Sequence, residues 1–309
     1  MTTSYRPLGN SGLMVSTVGI GCNAFGRRID VDTVQQVVDT AIEEGVTFFD
    51  TADVYGQGAS EELLGRALGS RRDDVVVATK FGMDMQGANG PDWGARGSRR
   101  YVRRAVEASL RRLGTDWIDL YQLHRPDPVT PIEETLAALH ELVQEGKVRY
   151  VGSSNLAGWQ VIDADWTART SGYTPFVSAQ NKYSLADRSI EKELVPACEC
   201  VGVGILPFFP LEYGLLTGKY RRGQAAPEGS RLADPSQQQR LERADWDAVE
   251  AVASFAHERD LSMLQVAIGG LAAQPAVASV IAGVTSPEQV RSNVEAGQWT
   301  PTAEDLAVL

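Results

Sequence analysis

The chain has 309 residues, 43% hydrophobic and 22% charged, with a formal net charge of −11. That acidic balance excludes the dominant basic surface needed to grip a phosphate backbone, so no nucleic-acid partner is expected. Three cysteines and three histidines stand at no metal-ligand spacing, which predicts reduced thiols and no metal. The N-terminal residues show no basic stretch ahead of a long apolar run, and nowhere do about eighteen apolar residues run together, so neither export nor a membrane span is expected. A cytoplasmic location is the plain reading.

In chain order, residues 5–15 read as a short hairpin turning at Asn10-Ser11-Gly12, placed to plug one end of a barrel. Apolar, β-branched runs at 17–21, 46–50, 74–79, 117–124, 148–154, 176–181, 203–208 and 277–283 read as eight strands. Helical patterns lie at 31–45, 60–70, 98–114, 131–146, 156–172, 189–202 and 286–297, with two more at about 241–259 and 262–273. Several open on Ser, Asp or Pro and stop at Gly. Near-continuous apolar strands alternating with helices predict a closed (β/α)8 barrel, with an open doubly wound sheet as the competitor, and make residues 1–309 one domain. Two long segments interrupt the repeat. Residues 82–97 form a loop on the predicted rim, and 214–240 form a Gly- and Pro-punctuated excursion of the kind used as a flap.

Asp50, Tyr55, Lys80 and His124 each follow one of the apolar runs. If those runs are neighbouring parallel strands, the four polar side chains converge on one rim, where such a barrel assembles a proton-donating site. Arg99, Arg100, Arg103, Arg104, Arg111 and Arg112 fall on one predicted helix with Glu107 among them and read as a solvated face. Cys198 and Cys200, two apart on a helix, face different ways. Neither a Tyr-x-x-x-Lys pair nor a Gly-x-Ser-x-Gly elbow occurs.

The segments FFDTADVYG, VATKFG, EASLRRLGTDWIDLYQLHRPDP, TLAALHELVQEGKVRYVGSSN, FVSAQNKYS, GLLTGKY and VTSPEQVRSN together resemble the aldo-keto reductases over essentially the whole chain. The resemblance implies a TIM barrel that binds an extended nicotinamide cofactor at its C-terminal rim without a Rossmann domain. GIGCNAFG fits, because it lacks the third glycine of a dinucleotide fingerprint. By the same resemblance, Asp50, Tyr55, Lys80 and His124 match the catalytic tetrad.

The chemistry expected of them is specific. Hydride addition to a carbonyl creates an alkoxide, and Tyr55 is the natural proton donor. Lys80 is expected to lower the phenol's pKa, Asp50 to hold Lys80 charged, and a neutral His124 to direct a ring N–H at the substrate oxygen.

The resemblance also implies a cofactor site. Gly21, Cys22, Asn23 and Asp50 would lie close to the cofactor, while Ser154, Asn155 and Gln180 would bind the nicotinamide amide. Phe208 would stack on its ring, with Phe209, Pro210 and Leu211 following the pyrophosphate and Leu216, Gly218 and Lys219 in the flap. Gly283, Thr285, Gln289 and Asn293 match an adenosine-phosphate site at a helix N-terminus, with Arg231 adding a positive charge for a 2′-phosphate. Two departures bear on this site: Phe209 stands where the family more often has Ser, and Ser292 where relatives often have Glu. Gly283, Val284 and Gln289 also stand where some branches of the family carry Lys or Arg; with Arg231 in the flap, NADP(H) is still expected ahead of NAD(H).

Substrate contacts are expected from Phe25 and Trp93, in an open pocket suited to a bulky or sugar-like carbonyl; the identity of the small-molecule carbonyl or alcohol is not legible. Oligomeric state is equally hidden. An alternative from another class is an NADP(H)-binding regulatory barrel with little turnover, similar to the potassium-channel β subunits of the superfamily.

Overall fold

A computed structural model describes residues 3–309. The chain opens with a hairpin, β1 (Tyr5–Pro7) and β2 (Met14–Ser16). It then alternates through β3 (Val18–Gly21), α1 (Val31–Glu43), β4 (Phe48–Asp50), α2 (Ala59–Leu68), β5 (Val76–Phe81), α3 (Arg99–Leu113), β6 (Ile118–Leu123) and α4 (Ile132–Gln144). Next come β7 (Val148–Ser154), α5 (Gly158–Ser171), β8 (Ser178–Lys182), α6 (Leu194–Val201) and β9 (Gly204–Phe208). The last part holds α7 (Gln238–Glu242), α8 (Trp246–Glu258), α9 (Met263–Ala272), β10 (Val280–Gly283), α10 (Pro287–Ala296) and α11 (Ala303–Val308).

The eight strands β3 to β10 form one parallel sheet in which β10 pairs with β3 and each later strand with the next. A parallel bridge between Ile205 and Val277 joins β9 to the chain entering β10, bringing the sheet round into a (β/α)8 barrel. The expected strands sit where their apolar runs lie, and the doubly wound alternative is excluded by this order.

Local chemistry explains the helix boundaries. Asp30 caps α1 by accepting from the Thr33 N–H at 3.0 Å, and Ser98 caps α3 by accepting from the Tyr101 N–H. Gly114 ends α3 in a left-handed turn with φ 65°. The predicted helix at 189–202 is divided: a tight turn at Ser189–Lys192 precedes α6, whose third residue is Pro196. The 214–240 excursion is mostly short turns, with only α7 emerging at its end.

Side chains inside the barrel follow the two-residue period of the strands. Leu120, Ala78, Phe48, Leu206, Ala278 and Ile281 form an apolar layer, and the hairpin contributes Leu8, Leu13 and Val15 to that same cluster. The hairpin thus stoppers the N-terminal end of the barrel. The opposite strand faces, among them Val77, Tyr121, Val151 and Ala179, bury against the helices.

On α3 the arginines divide. Arg99 and Arg103 pair at the surface with Glu141 of α4 and, for Arg103, with Glu145 just past its end. Arg112 departs from the solvated-face expectation, because its Nε donates to the fully buried Glu61 at 2.6 Å. All three cysteines are free thiols, Cys22 and Cys198 buried and Cys200 exposed. Among the described residues no helix is long and apolar enough to cross a membrane.

Candidate active site

Asp50 ends β4, Lys80 lies one residue before the end of β5, and His124 directly follows β6. Parallel register sets Asp50 beside Ala78 and Lys80 beside Gln122, so these side chains rise together at the C-terminal rim. Tyr55 reaches them from the connection after β4. There Gly56, Gln57 and Gly58 take left-handed φ values of 59°, 54° and 100°, a sharp reversal that sends the chain into α2. Gln57 is the residue that bears strain in this turn, which is of the kind that accumulates at functional sites.

The four groups are in contact. Lys80 Nζ donates to Asp50 Oδ2 at 2.6 Å, to the Thr51 carbonyl at 2.8 Å and to the Tyr55 hydroxyl at 3.4 Å. The His124 ring stands edge-on to Tyr55 with centroids 6.0 Å apart and planes at 85°. Its Nδ1 is buried without a partner among the described residues.

Electrostatics modify the expected acid. Burial lifts the Tyr55 phenol above its ordinary pKa, and the pull of Lys80 in the other direction does not overcome it, with Asp50 adding to the rise. The expectation that Lys80 brings the phenol below its usual value is therefore corrected: the barrel desolvates the phenolate more than one ammonium compensates. Tyr55 keeps its proton, as an acid must before it donates. Burial works against the Lys80 ammonium, yet Asp50 and Tyr55 together hold its pKa above the ordinary value. Burial, with help from Lys80 and Arg125, holds His124 well below its usual pKa, so the imidazole is neutral at physiological pH.

The implied cofactor residues surround this core. Gly21 and Gly283 are direct register partners at neighbouring strand ends, with Cys22 and Asn23 on the loop that follows. A Cβ at Gly283 would come 3.2 Å from Asn23 Oδ1, a close approach that a small shift of that side chain would relieve. Ser154 Oγ donates to the Gln180 carbonyl at 2.8 Å, and Asn155, left-handed at φ 59°, donates to Ser154 Oγ and to the His124 carbonyl. Gln180 Nε2 is engaged by Asp50 Oδ1 at 2.8 Å.

Phe208 packs edge-on to Phe209, and Phe209 tilts against Tyr213 at 4.3 Å. Pro210 and Leu216 are buried, Leu211 and Gly218 half-buried, and Lys219 exposed. Arg231 stands over the rings of Phe209 and Tyr213. At α10, Ser286 caps the helix, Gln289 Oε1 accepts from the Thr285 N–H at 2.9 Å, and Asn293 is buried. Phe25 is fully buried in the core, whereas Trp93 is 76% exposed with Arg100 over its ring at 4.4 Å. A cleft of about 480 Å³ lies beside the flap along Lys182, Glu212, Tyr213 and Arg240, and none of the four catalytic candidates lines it.

Two contributors escaped the sequence reading. Gln122 is fully buried and donates to Asp50 Oδ1 at 3.2 Å; its position two residues before His124 in one predicted strand, 117–124, was the available signal. The Thr51 carbonyl has no side-chain signature at all.

A (β/α)8 barrel whose C-terminal rim gathers a phenol, an ammonium, a carboxylate and an imidazole has the architecture of a barrel enzyme. The chain belongs to the aldo/keto reductase family, whose model matches residues 17–309. It is 35% identical to an uncharacterized oxidoreductase, YrpG, of Bacillus subtilis (strain 168), over 99% of this chain and 94% of that protein. It is 36% identical to a probable voltage-gated potassium channel subunit beta of Arabidopsis thaliana, over 96% and 92%. It is 34% identical to an L-glyceraldehyde 3-phosphate reductase of Escherichia coli O157:H7, over 98% and 90%.

Proposed function

We propose that this protein reduces an aldehyde or ketone to the alcohol with NADPH. The observation that carries the reading is the Lys80 ammonium held between Asp50 and the Tyr55 hydroxyl at 2.6 and 3.4 Å. When bound, the cofactor would supply hydride to the carbonyl carbon. Tyr55 gives its proton to the carbonyl oxygen, and the phenolate left behind lies against Lys80, whose positive charge Asp50 secures. Neutral His124 turns an N–H toward the same oxygen as charge develops on it.

The rim residues fit such a cofactor. Gly21 and Gly283 lie side by side at neighbouring strand ends, and Ser154, Asn155 and Gln180 would hold the nicotinamide amide, with Phe208 available to its ring. Phosphate binding is favoured by the flap: burial, together with Arg28 and Arg240, depresses the pKa of Arg231, and none of these three guanidiniums forms an ion pair among the described residues. In a chain of net charge −11, three neighbouring guanidiniums outside any ion pair favour an anion, and this supports NADP(H) over NAD(H).

The test is consumption of NADPH by the purified protein against a panel of aldehydes and ketones. Sustained turnover is expected, and Tyr55→Phe lowers its rate by roughly 10²–10⁴-fold with little change in NADPH affinity. A Tyr55→Phe rate within about two-fold of wild type overturns the acid assignment. The potassium-channel relatives favour a second reading, a barrel that senses the cofactor's redox state. Its signature is a single slow oxidation per bound NADPH in place of continued turnover.

A further inference from the structure

Behind the tetrad, on the helix side of β4 and β5, lies a second buried polar group that the proposed reaction does not use. Asp53 and Glu61 are both fully buried. Glu61 is satisfied twice, by Arg112 Nε at 2.6 Å and by the Thr79 hydroxyl at 2.5 Å. From side chains Asp53 receives Asn89 Nδ2 alone, at 3.1 Å on Oδ2, and its Oδ1 is buried without a partner. Asn89 in turn accepts from Arg112 Nη1 at 3.3 Å and lies 3.4 Å from the Tyr101 hydroxyl, which donates to the Met83 carbonyl.

The sequence positions of these residues are telling. Asp53 precedes Tyr55 by two residues, and its N–H donates to the Lys80 carbonyl at 3.2 Å. Thr79 adjoins Lys80 on β5. Arg112 packs so closely under the turn after Tyr55 that a Cβ on Gly58 would come 2.5 Å from its Cδ. Met83 and Asn89 belong to the 82–97 loop on the rim. One hydrogen-bonded set therefore touches the Tyr55 segment, the Lys80 strand and that loop.

We infer that Asp53, with Asn89 and Arg112, is a positioning assembly that sets the Tyr55 phenol relative to Lys80 and couples it to the 82–97 loop. The inference rests on the reductase reading for its kinetic readout only. It makes no contact with substrate, and its effect is through the placement of the Tyr55 segment, where a displacement near 1 Å costs roughly 10²-fold in rate.

Protonation is part of the device. Burial and the neighbouring Glu61 push the Asp53 carboxyl up to about 8, against the opposing pull of Arg112, the Val54 amide and Asn89. Tyr101 on α3 and Tyr121 on β6 face the same group and hold their protons, Tyr121 with its hydroxyl buried and unpartnered. Arg112 is thus the one cation in the set, and Glu61 has it. Above pH about 8, a second negative charge must be housed there, and the assembly loosens. The unfolded chain releases this proton in the ordinary carboxyl range, so the site penalises folding progressively as pH rises from that range to about 8.

The experiment compares Asp53→Ala, Asn89→Ala and Asp53→Asn in the full chain. Either alanine variant is expected to lose roughly ten- to hundred-fold in kcat with KM for NADPH little altered, and Asp53→Asn, which keeps an acceptor for Asn89, to recover most of that loss. The wild-type kcat profile is expected to turn down near pH 8, a limb that Asp53→Asn abolishes. Tyrosine labelled with ¹³C at Cζ supplies a readout that needs no turnover. The resonance absent from Tyr55→Phe should shift with that midpoint in wild type and stay flat in Asp53→Asn. A flat wild-type resonance, or alanine variants with wild-type kcat, overturns the positioning role. Absence of turnover with every carbonyl, alongside a shifting resonance, overturns the reductase reading and leaves the assembly standing.

Discussion

The two ends of the barrel lumen are built from the same strands and solve opposite problems. In β4, β5 and β6 the inward residues are Phe48 then Asp50, Ala78 then Lys80, and Leu120 then Gln122. One pleat step converts a dry apolar layer into a layer of buried polar groups. The lower layer is stabilised by apolar burial beneath the hairpin. The upper is stable only because each member is paired: Asp50 serves Lys80, Gln122 and Gln180 at once. The comparison teaches that the apolar layer carries stability so that the layer above it can hold charge away from water.

Breaking the upper layer is expected to have the larger effect. Asp50→Asn leaves the fully buried Lys80 ammonium without its counter-charge, costing about 3–5 kcal/mol of stability together with activity. Urea denaturation and turnover, measured on one preparation, would both fall. Breaking the lower layer separates the two properties. Phe48→Ala, at a fully buried site, costs about 3–5 kcal/mol through cavity formation, yet turnover at temperatures where the variant is folded stays near wild type. The smallest effect is expected outside the lumen, where Arg99 forms an exposed pair with Glu141. Arg99→Ala leaves the thermal midpoint without a resolvable change, since such pairs are screened by water and salt.

Much of this arrangement was legible in the sequence, for physical reasons that also mark where legibility stopped. Parallel strands buried on both faces must be continuously apolar, so runs such as VVVAT and WIDLYQLH announce themselves, and a polar residue closing each run stands out. Asp50, Lys80 and His124 were visible in that way, and Tyr55 through the motif that holds it. Gln122 was not, because a single amide inside an apolar strand looks like any tolerated polar residue until its partner is known. Nor was the sign of the Tyr55 shift, which depends on how completely the barrel wall excludes water. Arg112 read as one of six arginines on a helix; only the packing of α2 on α3 reveals that it points inward to Glu61. The flap between β9 and α8 offered composition without periodicity, and its turns depend on contacts such as Arg231 on Phe209 and Tyr213.

The hairpin stopper has one more implication, for traffic. With Leu8, Leu13 and Val15 covering the base and side chains filling the lumen above them, the polar layer can be approached from the C-terminal rim alone.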